Sequence, residues 1–440
     1  MKIISSYKVK IKHFNKIFTQ TVLLYRQAVS FFLNVCENEW QVIEPLTGNH
    51  RNNYIESITI TTKKHPNPIY NFNTGFYKFP SYLRRAAIQE AIGAYSSYKS
   101  NLSNWETNTG GKIGKPPTLA INRNSMPTLY KNNMFIQTSS NTAKIKIYHQ
   151  NDWIWLEIEL NQQDINYINR NCKLCKQLNP KLYKSGKNWY LSFPFEQDVK
   201  LTDKEKPITE KLICAVDLGL NKNAVCSLIN SKGTVIGRKF IDFPIEKDHL
   251  NKALGRQKKV QQTGAKKTPI KWKHINDINT EISRKTAKAI VDYAKENGAD
   301  VIVFEHLDFK GKVKGRKKQR LHLWRKKEVQ RLAEHKAHRV GIRISRVCAW
   351  GTSRLAYDGS GCVERGSEST HSICIFQTGK IYNADLNASY NIGARYFIRE
   401  ILKSEPVMAR LPDEAKVLRY GTGTTRTLST LIRLNADLAA

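Results

Sequence analysis

The sequence predicts a chain in two parts: a β-rich first half that carries an inserted group of helices, and an α/β second half built on a mixed sheet. Segments rich in β-branched and aromatic residues occur at 3–12 and 118–198, with long helical patterns between them. After residue 210, three successive strand patterns are followed by helix, strand, helix, strand and helix. That order is typical of a mixed sheet covered by helices.

In the first half, we expect a β-rich module over residues 1–14 and 115–200, with a helical module over 15–114. Apolar residues recur at three- and four-residue steps from Val22 to Trp40, and again around 82–102. This spacing places them on one face of a helix and predicts two long amphipathic helices. Segments such as WIWLEIEL and KNWYLSFPFE favour strands, because they combine aromatic and β-branched residues with partial alternation.

The polar segment 199–210 is the best candidate for a linker, and the α/β domain is expected over 210–402. Strand patterns occupy 212–217, 224–229, 234–242, 301–307 and 341–348, and helical patterns occupy about 246–297, about 319–339 and a segment starting near Asp385. Residues 403–440 are Thr-rich and show no clear periodicity, so we expect a flexible C-terminal tail.

The charge of the chain indicates a polyanionic partner. Its 440 residues include 72 Lys and Arg against 37 Asp and Glu, a formal net charge of +35. Such an excess is typical of proteins that bind nucleic acid, with a basic ribosomal or membrane-surface protein as the alternative. No apolar run is long enough for a membrane span or a signal peptide, so we expect no membrane association and a cytoplasmic location. Eight scattered cysteines fit reduced thiols better than a disulfide framework.

Three carboxylates occupy positions where a charge is energetically costly. Asp217 ends the apolar strand LICAVD, Glu305 lies inside VIVFEHL, and Asp385 starts the last helix. Each has a simpler explanation, as a turn residue, a partner of an Arg and a helix N-cap respectively. The predicted order of elements brings the three together, however, and hard oxygen ligands suit magnesium or manganese. Two such ions about 4 Å apart can activate water and stabilise a leaving oxygen, which predicts a metal-dependent nuclease.

Three segments carry a family resemblance in the right order: AVDLGLNKNAV at 215–225, VFEHL at 303–307 and NADLNASYNIG at 383–393. They resemble the RuvC motifs of TnpB, the transposon-encoded RNA-guided nuclease, and of the related compact type V CRISPR effectors. The resemblance implies an RNase H-like (RuvC) nuclease domain at 210–402 with Asp217, Glu305 and Asp385 as catalytic metal ligands. It also implies that the first half is a wedge and recognition module for guide RNA and target DNA.

The resemblance is weakest where TnpB proteins carry a zinc ribbon, here a degenerate insertion over 354–382. The four zinc-ligand positions would fall on Ala356, Gly359, Cys374 and Gln377, so that one cysteine remains. Tetrahedral zinc needs four ligands, and we therefore expect a zinc-free loop. An altered site that uses Cys348, Cys362, Cys374 and His371 stays open. The isolated pair Cys172 and Cys175 is expected to be a turn with inert thiols.

Two basic runs flank the strand that carries Glu305. Lys252 to Lys273 contains eight Lys or Arg and no acidic residue, and Phe309 to Arg339 contains 13 Lys or Arg against two Glu. Either run alone could be a solvated helix face, but together they are expected to draw phosphates toward a negatively charged site. The candidate nucleic-acid-binding residues are Arg256, Lys258, Lys259, Lys266, Lys267, Arg316, Lys317, Lys318 and Arg320.

The preferred function is an RNA-guided, magnesium-dependent DNA endonuclease with one RuvC-like active site. The sequence leaves two alternatives: a nuclease-inactive RNA-guided DNA-binding repressor or targeting factor, and a guide-independent transposase or resolvase. It also leaves open whether the context is a transposon or a CRISPR locus, and whether the chain forms a homodimer.

Overall fold

The chain divides into two compact units, residues 2–197 and residues 198–440 together with Met1. The computed structural model describes residues 1–12, 16–63, 65–107, 114–120, 125–202, 206–264, 268–306, 323–365, 372–404, 406 and 411–439. Within these ranges, no helix has the length and apolar composition that a membrane span requires.

The first unit combines two antiparallel sheets with helices. Its strands are β1 (Lys2–Lys10), β2 (Phe135–Gln137), β3 (Thr142–His149), β4 (Asp152–Glu159), β5 (Lys176–Gln177), β6 (Lys181–Ser185) and β7 (Asn188–Asp198). Its helices are α1 (Ile17–Ile43), α2 (Asn49–Thr59), α3 (Phe72–Gly75), α4 (Ser81–Glu106) and α5 (Gln162–Asn171). β1 pairs with β7, which also pairs with β5 and β6, while β2, β3 and β4 form the second sheet.

The two long helices of this unit lie where the apolar spacing predicts them. The buried face of α1 runs from Phe18 to Ile43, and the Tyr25 hydroxyl on that face donates to Glu90 of α4 at 2.8 Å. The polar stretch between these helices also forms structure, since it contains α2 and α3. An ion pair of 3.0 Å between Arg84 and Glu56 ties α2 to α4, a tertiary contact that helical spacing could not indicate.

The second unit is built on one mixed five-stranded sheet, as the order of strand and helix patterns predicts. Its strands are β8 (Leu212–Asp217), β9 (Ala224–Asn230), β10 (Val235–Ile241), β11 (Val301–His306) and β12 (Arg343–Cys348), arranged in the order β10-β9-β8-β11-β12. β9 runs antiparallel to its neighbours β8 and β10, whereas β8, β11 and β12 are parallel. A short 3-10 turn (Ile208–Glu210) precedes the sheet.

Helices cover both faces of this sheet, because its central strands are apolar on both sides. The helices are α6 (Pro244–Gln262), α7 (Pro269–Glu296), α8 (Lys326–Arg339), α9 (Ala384–Ser404), α10 (Asp413–Tyr420) and α11 (Leu428–Ala439). Residues of α9 and α11 pack on one face and residues of α7 and α8 on the other. α9 approaches very closely at Gly393, where a Cβ would lie 2.5 Å from Ile229 Cδ1.

The region expected to be a flexible tail differs from that prediction. Within 411–439 the chain forms α10 and α11, and Leu428, Leu431 and Leu434 are buried in the core beneath α9. These three residues are spaced by three positions, and the pattern is too short to distinguish from a loop without its packing partner.

Candidate active site

Asp217 and Glu305 lie side by side at the carboxyl ends of two parallel central strands. β8 and β11 are paired so that Val216 lies opposite Phe304, which brings the next residue of each strand together. Side chains alternate between the faces of a sheet, and Ala215 and Val303 pack in the core on the α9 side. Asp217 and Glu305 therefore belong to the face that α9 covers.

Asp385 reaches the same place from the first turn of α9. The sequence left open whether Asp385 caps this helix, and the structure assigns the cap to its neighbour. The Asn383 side chain accepts hydrogen bonds from the backbone N–H groups of Asp385 at 3.1 Å and Leu386 at 3.0 Å. Because Asn383 satisfies these N–H groups, the carboxylate of Asp385 is not required for capping.

One cavity of about 860 Å³ is lined by all three carboxylates. Burial, followed by the charges of Glu305 and Asp385, holds the pKa of Asp217 well above its ordinary value. Burial also raises the pKa of Glu305, with the Thr352 hydroxyl and Arg395 acting in the opposite direction. Three carboxylates with raised pKa values in one cavity form a site that a cation would stabilise.

The donor chemistry fits magnesium or manganese, since all three side chains offer hard oxygen atoms. Within the described ranges, no three His, Cys, Asp or Glu side chains lie close enough together to hold one ion. The backbone thus brings the carboxylates to a common cavity without drawing their oxygens into a single coordination sphere.

A threonine absent from the sequence prediction contacts Glu305 directly. The buried Thr352 hydroxyl donates a hydrogen bond to Glu305 Oε1 and contacts the Ala349 carbonyl at 2.9 Å. Gln330 of α8 donates to the backbone carbonyl of Glu305 at 2.9 Å. Among the described residues, Glu305 is therefore held by hydrogen bonds, and the charge of Arg395 also acts on it. No periodic pattern marks Thr352, because it lies in an irregular loop.

Polar residues on α9 hold that loop in place. Asn391 Nδ2 donates to the carbonyls of Thr352 at 3.0 Å and Leu355 at 2.8 Å. The Arg395 guanidinium, only 3% exposed, donates to four carbonyls. These belong to Cys348 at 2.7 Å, Trp350 at 2.8 Å, Thr424 at 2.8 Å and Arg426 at 3.1 Å. The i, i+4 polar spacing within a buried helix was the available sequence signal, because buried polar side chains need partners.

Two cations moderate the negative charge of the cavity. Burial raises the pKa of Asp385, and the charges of Arg365 and Lys222 oppose that rise. Arg365 ends β13 (Glu364–Arg365), lines the cavity and donates to the Ser353 carbonyl at 2.9 Å. The sequence prediction missed Arg365, since it lies within the segment interpreted as a degenerate insertion.

The segment that would carry a zinc ribbon forms a small antiparallel sheet over an apolar cluster. β13 pairs with β14 (Ile373–Ile375), which pairs with β15 (Ile381–Asn383). The predicted ligand positions Ala356 and Cys374 are fully buried beside Phe376. The ring of Tyr357 lies 5.4 Å from that of Phe376 and 5.3 Å from that of Tyr382. Cys348 and Cys362 are exposed, and His371 lies outside the described residues.

Among the predicted nucleic-acid-binding residues, the structure describes three. Arg256, Lys258 and Lys259 are exposed on α6, in the unit that carries the carboxylates. The others lie outside the described residues: Lys266, Lys267, Arg316, Lys317, Lys318 and Arg320.

Several solved structures share features with this chain at low identity. A Cas12f1–sgRNA–target DNA complex shows a TM-score of 0.49 and 15% identity over 86% of this chain and 81% of that one. CasPhi-2 (Cas12j) bound to crRNA shows a TM-score of 0.44 and 9% identity over 91% of this chain and 98% of that one.

Two proteins of Aquifex aeolicus (strain VF5) are similar in sequence. The TnpB-like protein aq_aa05 is 27% identical over 236 residues, which cover 48% of this chain and 75% of that protein. The uncharacterized protein aq_aa04 is 32% identical over 120 residues, or 24% of this chain and 67% of that protein. A family model described as the Aq_aa04 family matches residues 5–149. The chain therefore belongs to the Aq_aa04 family, and its predicted resemblance to TnpB proteins is confirmed.

Proposed function

We propose that the chain is an RNA-guided, metal-dependent DNA endonuclease with a single RuvC-like active site. The observation that carries this proposal is the meeting of Asp217, Glu305 and Asp385 in one cavity, although they come from two strands and a helix far apart in the sequence. Structural carboxylates seldom converge in this way, because each repels the others unless a cation or a proton is bound.

The three carboxylates would hold magnesium, with manganese as a substitute. The bound metal would supply charge stabilisation and a more acidic water for phosphodiester hydrolysis. Holding one ion requires these side chains to move closer together than they are, because no three such groups in the described ranges are within reach of one ion.

The other residues of the cavity would orient and balance the carboxylates. Thr352 directs one oxygen of Glu305 through its hydroxyl, so the other oxygen is available to a ligand. Arg365 lines the cavity and would pair with a phosphate oxygen there, while Lys222, which is paired with Asp242 at 2.9 Å, would add to the positive potential near Asp385.

The first unit would bind the guide RNA and the duplex beside the target. In this proposal residues 1–14 and 115–200 form the wedge module and residues 15–114 the recognition module. Sequence specificity would come from guide pairing, because the sequence carries no short base-reading motif of the zinc-finger or homeodomain kind. The residues Arg256, Lys258 and Lys259, exposed on α6, would contact phosphates near the nuclease site. Zinc has no part in the proposal, since Cys374 is the one cysteine among the four expected ligand positions and it is buried beside Ala356 and Phe376.

The test begins with the RNA that accompanies the expressed protein. The purified complex should contain RNA of defined length, and it should cut DNA that matches this RNA when magnesium is present. Asp217→Ala, Glu305→Ala and Asp385→Ala should each abolish cutting while DNA binding is retained. The matched control Asp413→Ala changes a carboxylate that is 97% exposed and should cut normally.

The outcomes separate the alternatives. Guided binding without cutting in wild-type protein would favour the repressor, whereas cutting without bound RNA would favour the transposase or resolvase. Light scattering on the same preparation measures whether the chain is a homodimer.

A further inference from the structure

A second cavity of about 340 Å³ lies beside the carboxylate cavity in the same unit. We call it the side pocket. Its apolar wall comes from the loop after β8, from α6 and α7, and from the residue pair before α8. These apolar residues are Leu220, Leu250, Leu254, Ile282, Leu323 and Trp324. Trp324 also lines the carboxylate cavity, so the two spaces share one wall.

Two amide side chains on the wall of the side pocket are held in fixed orientations. Asn279 is 5% exposed and its Nδ2 donates to the Leu323 carbonyl at 2.7 Å, which leaves Oδ1 as an acceptor. Asn223 Oδ1 accepts from the Phe243 N–H at 3.1 Å, which leaves Nδ2 as a donor. The pocket thus offers an acceptor and a donor whose positions are set by other bonds.

The charge around the side pocket suits a strand of nucleic acid. Lys247 lines the pocket and is paired there with Asp242, while Arg256, Lys258 and Lys259 are exposed further along α6. A strand bound along α6 would lie beside the side pocket, which shares Trp324 with the carboxylate cavity. An apolar slot with an aromatic wall and fixed amides is the kind of site that holds an unstacked base.

We infer that the side pocket holds one unpaired base of the DNA strand whose phosphate enters the carboxylate cavity. The base would stack against Trp324 and hydrogen-bond through its edge to Asn279 Oδ1 and Asn223 Nδ2. A volume of about 340 Å³ lies at the lower end of the range for small-ligand sites, as a single base requires. The inference rests on the proposed nuclease function, because it assigns the substrate of that site.

The test measures the contribution of the base to DNA binding without any cutting. The full-length protein is titrated in EDTA with a short oligodeoxythymidylate and with an abasic strand of equal length, which carries the same phosphates. Wild type should prefer the strand with bases, and Trp324→Ala should reduce that preference about tenfold, the scale of one base–aromatic stack. Binding of the abasic strand should be unchanged in the variant.

Two further variants guard against misfolding. Trp324→Phe keeps an aromatic face and should retain most of the preference. Trp272→Ala removes a tryptophan of α7 that does not line the side pocket, and should retain all of it. A second readout replaces one thymine by iodouracil, and near-ultraviolet light should crosslink it to the peptide that contains Trp324.

Equal preference in wild type and Trp324→Ala, or crosslinks elsewhere in the chain only, would overturn the inference. The inference would also be overturned if Trp272→Ala lost the preference for the strand with bases as fully as Trp324→Ala does. These results are independent of cutting. If guided DNA is cut but the preference is insensitive to Trp324, the pocket assignment fails and the proposed function survives. If the preference behaves as expected but no guided DNA is cut, the proposed function fails.

Discussion

Replacing Arg395 is expected to release the loop that positions Glu305. The guanidinium donates to the carbonyls of Cys348, Trp350, Thr424 and Arg426, with distances between 2.7 and 3.1 Å. A net value of about 1 kcal/mol for each hydrogen bond gives about 4 kcal/mol for Arg395→Met, which corresponds to about a thousandfold in the local opening equilibrium. Arg395→Lys should recover only part of this free energy, because a lysine ammonium cannot reproduce the planar set of N–H donors of the guanidinium.

Hydrogen exchange followed by mass spectrometry measures this opening region by region. Amides at 348–355 and 421–428 should exchange far faster in Arg395→Met, while those of β8 and β11 change much less. The matched control is Arg433→Met, because Arg433 is exposed and its guanidinium contacts one carbonyl, that of Arg419. If the amides at 348–355 and 421–428 exchange equally slowly in Arg395→Met and Arg433→Met, the four hydrogen bonds of Arg395 do not hold these segments and the reasoning is wrong.

The raised pKa of Asp217 means that the native state, without metal, keeps a proton that the unfolded chain loses. The free energy of unfolding should therefore fall as the pH rises from the ordinary carboxyl range to that raised pKa. In thermal melts with EDTA, the melting temperature should fall less steeply with pH for Asp217→Asn than for Asp413→Asn. Parallel pH profiles of the two variants would contradict this prediction. Gly393→Ala places a Cβ 2.5 Å from Ile229 Cδ1 and should destabilise the unit by about 1–3 kcal/mol in urea unfolding. Gly255→Ala, in a helix and with open space around it, should instead be neutral or stabilising by up to about 1 kcal/mol, and an equal loss in both would refute the packing argument. Phe376→Ala should destabilise the small sheet by about 3–5 kcal/mol. A strong chelator should leave the hydrogen exchange of this sheet unchanged. Faster exchange on addition of the chelator alone would mean that a metal holds this segment.

Much of the second unit could be predicted because the sequence patterns that indicate its strands and helices lie within single segments. The strands at 212–217 and 301–306 are continuous apolar runs, and each ends in or contains one carboxylate. A charge in such a run is costly wherever the strand is placed, so Asp217 and Glu305 could be singled out before any contact was known. The long helices α1 and α4 were likewise visible in their apolar spacing.

Other features depend on residues that meet only in the folded chain. Thr352 has no pattern of its own, and its role follows from a hydrogen bond to a residue 47 positions away. The segment of α11 was expected to be a flexible tail, because its three leucines form a buried face only when they pack against α9. Whether Asp385 caps its helix was also undecidable, since Asn383 and Asp385 are both good capping residues and the backbone geometry selects one.

The sequence by itself determined the chemical groups of the candidate site, their order along the chain and the strands that present two of them. This was possible because composition and short-range periodicity indicate the burial and backbone geometry of individual segments, and these depend on neighbouring residues in the chain. The tertiary structure alone decided that the carboxylates share one cavity, that Arg395 and Thr352 support Glu305, and that a side pocket adjoins them. These are distances between segments far apart in the chain, and only the pairing of β8 with β11 and the packing of α9 on the sheet set them.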